Sequence, residues 1–134
     1  METLFKPVNK LPFDKTILPH MKQTATDMLS TVEANPYTQA IVLFSQNGNE
    51  YGTIIKNTLS AETEETEFLE RLTVAKDTEI RYILCVWKGD ASIDIPSFAF
   101  RKKLFALHSS NAESLMFVMT EDGVSVIKLS ATMK

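Results

Sequence analysis

Cysteine, glycine and histidine are scarce in this chain: one, four and two among 134 residues. The single thiol, Cys85, excludes an internal disulfide and a cysteine-built zinc site. It fits a reducing compartment, so a cytoplasmic location is expected. No apolar run approaches the roughly 20 residues that cross a bilayer. The start, Met1-Glu2-Thr3, has no basic stretch followed by an apolar core, so no secretory signal is expected. There is no cationic excess: 14 Lys and Arg against 17 Asp and Glu give a net charge of -3. That balance offers no electrostatic case for binding nucleic acid or an anionic membrane. The basic run Arg101-Lys102-Lys103 reads as a solvated helix face. Internal repeats and low-complexity tracts are missing too.

The composition, 44% hydrophobic and 23% charged, is that of an ordinary globular protein. A chain of this length suits one domain with a core that needs no staple. Residues 1–13, with Pro7 and Pro12, read as an irregular arm, and residues 14–134 as a single domain. Ile17, Leu18, Met21, Ala25, Met28, Leu29 and Val32 form one stripe, which predicts a helix from Asp14 to about Glu33. Asp14 or Thr16 can cap it, Pro19 is tolerable in its first turn, and Asn35-Pro36 stops it. Ala40–Phe44 and Glu50–Lys56 are strands joined by a turn at Asn47-Gly48.

A second helix is expected from Glu62 to about Lys76, acidic where the helix dipole favours negative charge, with Phe68, Leu69, Leu72 and Ala75 at helical spacing. Tyr82–Trp87 is a continuous apolar run, suited to a central strand covered on both faces. A third helix runs from Pro96 to about Leu107, with Phe98, Leu104, Phe105 and Leu107 as core candidates. Leu115–Met119 and Val124–Leu129 are strands around a turn at Glu121-Asp122-Gly123. The order α-β-β-α-β-α-β-β predicts an α/β protein, a three-layer α/β/α sandwich around a five-stranded mixed sheet.

This order resembles the cytidine deaminase fold. In that family the second helix opens with a zinc ligand, alanine and glutamate, and the third with Pro-Cys-x-x-Cys. Here the second opens Ser60-Ala61-Glu62 and the third Pro96-Ser97-Phe98-Ala99-Phe100-Arg101. Asn35-Pro36-Tyr37-Thr38 is similar to the family's Ala-Pro-Tyr-Ser, and Glu121-Asp122-Gly123 stands where many members carry an Asp-Gly turn. The resemblance covers roughly Met21 to the C-terminus. It implies a homodimer or homotetramer.

It also implies a site whose chemistry has been lost. Zinc deamination needs three protein ligands, an open position for water and a proton-shuttling glutamate. The ligand positions fall on Ser60, Ser97 and Phe100, and neither His20 nor His108 stands at one. A neutral hydroxyl is a poor zinc ligand and a phenyl ring is none, so no metal or other cofactor is expected. Glu62 matches the shuttling glutamate, but serves equally as a first-turn acid on the helix dipole. Ser60 and Ser97 are good N-caps, and neither has a base in view that would make it a nucleophile. Asn57 stands where the family holds the nucleoside sugar, but its glutamate partner is absent. Phe100 either plugs the vacated volume or forms a platform for a flat ligand. Two readings follow: an inactive protein that keeps a pocket for a nucleoside or similar molecule, and an interaction or scaffold protein with a collapsed pocket. His108 is expected to favour the C-terminus of the third helix, and Cys85 to be an inert buried thiol.

Overall fold

Ile80–Trp87 (β4) sorts its side chains to two sides. Tyr82, Leu84 and Val86 join one apolar cluster and Ile83 and Cys85 another, as the two-residue period of a strand requires. Gln39–Ser45 (β2) does the same, with Ala40 and Val42 on the first side and Ile41 and Leu43 on the second. A sheet buried on both faces must lie between two layers of helix. The computed structural model describes residues 6–7, 16–33, 37–56, 61–89, 91–121 and 123–133.

The remaining elements are strands Lys6–Pro7 (β1), Glu50–Ile55 (β3), Ile93–Asp94 (β5), Leu115–Thr120 (β6) and Gly123–Lys128 (β7), and helices Ile17–Leu29 (α1), Ala61–Val74 (α2) and Phe98–Leu107 (α3). The sheet order is β1-β7-β6-β4-β2-β3, with β5 paired to β4 off that path. β4 and β6 run parallel, and every other pair is antiparallel. The five expected strands form the body of this mixed sheet; β1 and β5 add two residues each. The chain crosses from β3 to β4 through α2 and from β4 to β6 through α3, moving the same way along the sheet. Crossovers of one hand and one direction lay their helices on one face. α2 and α3 therefore share the Ile41–Ile83–Cys85 side, and α1 covers the other with Ile17, Met21, Ala25 and Leu29. The sandwich has the three layers the sequence predicts.

Several local expectations are also visible. Pro19 lies in the first turn of α1, as expected; Thr16 stands at the N-cap position but in helical conformation and without a side-chain capping bond, so the expected Thr16 cap is not formed. Gly48 has φ +87°, as the Asn-Gly turn between β2 and β3 requires. Asp14, Asn35-Pro36 and Asp122 lie outside the described residues, as does most of the expected arm; its Lys6–Pro7 backbone pairs with the edge of β7.

Two core assignments are corrected. Phe98 and Phe105 are 52% and 39% exposed. α3 rests on the sheet through Phe100 and Leu104, both fully buried and one turn apart. Positions 98 and 105 lie on the opposite side of so short a helix.

Candidate functional site

The site expected at the openings of the second and third helices is built around Ser97. With φ −54° and ψ 154° it is the N-cap of α3, and its Oγ accepts the Phe100 N–H at 3.2 Å. The same hydroxyl donates to Oε2 of Glu65 at 3.0 Å, tying α3 to α2. Glu65 is a buried residue of α2. Burial pushes its carboxyl above the usual carboxylate range, with smaller opposing contributions from the Ser97 hydrogen bond and the charge of Lys103. Glu62, the acid singled out from the sequence, is exposed on the first turn of α2. The structure thus brings Glu65 to Ser97, one helical turn further along. The signal for this was present: Phe68, Leu69 and Leu72 form the inward stripe, and counting three back from Phe68 gives Glu65.

Phe100 follows on the first turn of α3 and is 0% exposed. Its ring stacks on Phe68 of α2, centroids 6.3 Å apart and planes 13° from parallel. Ile41, Ile83, Cys85, Leu104 and Met116 belong to the same apolar cluster. Arg101 turns the other way. Its Nε donates to the Pro96 carbonyl at 2.9 Å and its guanidinium to the Thr132 carbonyl at 3.1 Å, so it pins the C-terminal turn Leu129–Thr132 against α3. Asn57 and Ser60 lie outside the described residues.

This donor set does not fit a zinc ion. Phe100 offers no lone pair, and the Ser97 hydroxyl is a neutral oxygen already engaged by Glu65 and a backbone N–H. Among the described residues no group of three His, Cys, Asp or Glu side chains is placed to hold a metal. Cys85 is a buried free thiol in the middle of β4; desolvation above all, then the charges of Asp94 and Glu65, holds its pKa far above the ordinary thiol value. His108 stands at the C-cap of α3, the place expected for it, in extended conformation; its Nδ1 also accepts the Ser110 N–H at 3.1 Å, so it opens the following turn Ser109–Glu113. His20 has Glu50 at 3.4 Å on the opposite side of the sheet from Ser97.

A second polar cluster went unread in the sequence. Asp77, buried after α2, accepts hydrogen bonds from Ser45 (2.9 Å), Asn49 (2.9 Å) and Tyr51 (2.7 Å) on Oδ2 and from Asn47 (2.9 Å) on Oδ1. Burial opposes its ionisation, but the four donors outweigh that and hold the carboxyl below its usual value. The same contact raises the pKa of Tyr51. With every carboxylate partner supplied by the β2–β3 hairpin, this cluster fixes that hairpin to the end of α2.

No protein-family model matches the sequence, and no curated protein matches it by sequence. Solved structures match its fold. Cytidine deaminase from Bacillus anthracis superposes with a TM-score of 0.67 at 12% identity, covering 86% of this chain and 85% of that one. Cytidine deaminase from Mycobacterium leprae gives 0.60 at 17% identity, covering 81% and 92%. The enzyme from Burkholderia pseudomallei gives 0.61 at 15% identity, covering 84% and 93%. The chain has a cytidine deaminase-like fold. No helix among the described residues is long and apolar enough to cross a membrane.

Proposed function

We propose that this chain is a non-catalytic protein of cytidine deaminase-like fold that acts through protein contacts, as a homo-oligomer or with a partner. The observation that carries this reading is the complete burial of Phe100 and its stack on Phe68. A plug at that position favours the interaction protein over an open nucleoside pocket. The Ser97–Glu65 bond supports it further, because it uses the hydroxyl and carboxylate that would otherwise face a ligand. Fold alone does not carry an activity, and hydrolysis of cytidine to uridine and ammonia needs an activated water that these side chains cannot generate.

The test is a pair of measurements on purified full chain. Cytidine incubated with the protein and zinc should show no conversion to uridine by absorbance, and calorimetric titration with cytidine or uridine should show no binding. Measurable turnover would overturn the reading. Saturable uridine binding without turnover would establish the nucleoside-pocket alternative instead.

A further inference from the structure

Asn47 is the one asparagine of the chain that a glycine follows. In such a pair the glycine amide nitrogen can attack the asparagine side-chain carbonyl, because a glycine carries no Cβ to hinder the approach. Nothing lies within 4 Å of the place a Cβ on Gly48 would occupy, and both residues are exposed to water in the β2–β3 turn. Two contacts oppose the reaction. The Gly48 N–H donates to the Ser45 carbonyl at 3.0 Å, which holds the attacking nitrogen in the turn. Asn47 Nδ2 donates to Oδ1 of buried Asp77 at 2.9 Å, which holds the amide that would be attacked. The leaving nitrogen must gain a proton, and an ionised carboxylate beside it has none to give.

We propose that Asn47 is a modification site, where deamidation is slowed by Asp77 and, once complete, loosens the β2–β3 hairpin from the end of α2. A bond forms between Gly48 N and Asn47 Cγ. The Cγ–Nδ2 bond breaks, and Nδ2 leaves as ammonia with the Gly48 amide proton. Water then opens the resulting succinimide. Cleavage of the new Cγ–N bond gives aspartate; cleavage at the main-chain carbonyl gives isoaspartate, whose main chain runs through Cγ. Aspartate replaces a donor to Asp77 by a second carboxylate, and two carboxylates at that distance disfavour each other's ionisation. Isoaspartate lengthens the turn by a methylene, which displaces the Gly48 N–H from the Ser45 carbonyl. The bonds from Ser45, Asn49 and Tyr51 to Oδ2 of Asp77 remain, so the hairpin loosens at its tip without leaving the sheet. The site does not depend on the non-catalytic reading.

Full chain held in mildly alkaline buffer, separated by ion exchange and mapped by peptide mass spectrometry, tests it. An acidic isoform modified at position 47 should accumulate, several-fold more slowly than in the urea-unfolded chain. Asn47→Gln keeps a donor but closes the ring far less readily, and should not form it. Asp77→Ala should form it faster than wild type. Asp77→Asn, which keeps one acceptor oxygen for Asn47, should fall between the two and guards against a variant that merely unfolds. Asn47→Asp, the stable mimic, should lower the urea midpoint and speed hydrogen exchange in the β2–β3 turn while leaving β6 and β7 unchanged. No isoform at position 47 by the time the unfolded chain has fully converted overturns the site. Equal rates in wild type and both Asp77 variants overturn the role of Asp77. An Asn47→Asp variant with the wild-type midpoint and exchange overturns the loosening.

Discussion

Replacing Phe100 with alanine removes the side chain on which the filled-pocket account depends. The ring is 0% exposed and stacks on Phe68 within the α2–α3 side of the core. Its burial contributes on the order of 2 kcal/mol by area, and the aromatic pair adds about 0.5–1.5 kcal/mol. The cavity left behind adds about 24 cal/mol per Å³ that the surroundings fail to close. Phe→Ala changes of this kind cost about 3–5 kcal/mol, a large part of the roughly 5–15 kcal/mol that holds a domain folded. Urea denaturation followed by circular dichroism should show that loss as a lower midpoint at unchanged slope. Phe105→Ala, on the same helix but 39% exposed, is the internal control and should cost under about 1 kcal/mol in the monomer. A Phe100→Ala variant within about 1 kcal/mol of wild type would mean that the ring borders an open space, and the plug argument would be refuted.

Three further outcomes follow from the polar contacts and the thiol. Ser97→Ala removes the α3 cap and leaves a buried carboxylate without its hydroxyl donor, so it should cost about 1–3 kcal/mol in chemical denaturation; Glu65→Gln, which keeps an acceptor and drops the desolvated charge, should cost less. Asp77 is held below its unfolded pKa of about 3.9, so its cluster stabilises the fold fully above that pH and loses the contribution as pH falls through the folded value. The stability gap between wild type and Asp77→Asn should therefore narrow in acid, and a gap independent of pH would contradict it. Cys85, buried and with a raised pKa, should react with a thiol reagent only after unfolding, and fast labelling of native protein would place it elsewhere.

The layers were legible because they follow from periodicity. Tyr82–Trp87 reads as a strand covered on both faces, and the structure splits it between two clusters. The Ser97 cap and the burial of Phe100 were open to sequence reasoning because a cap and an i,i+3/i+4 stripe are local properties. Phe98 and Phe105 misled because hydrophobicity does not distinguish a core from an uncovered face; only the placement of the short α3 across the sheet decides it. Glu65 was missed because alignment on the Ala61-Glu62 pair drew attention to the wrong turn of α2. The Asp77 cluster was invisible for a different reason: its four donors, Ser45 to Tyr51, are 26 to 32 residues away along the chain, and only the tertiary fold brings them together.

The most direct test of the filled site is zinc content. Full chain expressed in zinc-supplemented medium, purified without chelator and analysed by mass spectrometry for bound metal should carry far less than one zinc per molecule. Its unfolding midpoint should not move when a chelator is added. One tightly held zinc per chain, with a midpoint that falls on chelation, would contradict the account.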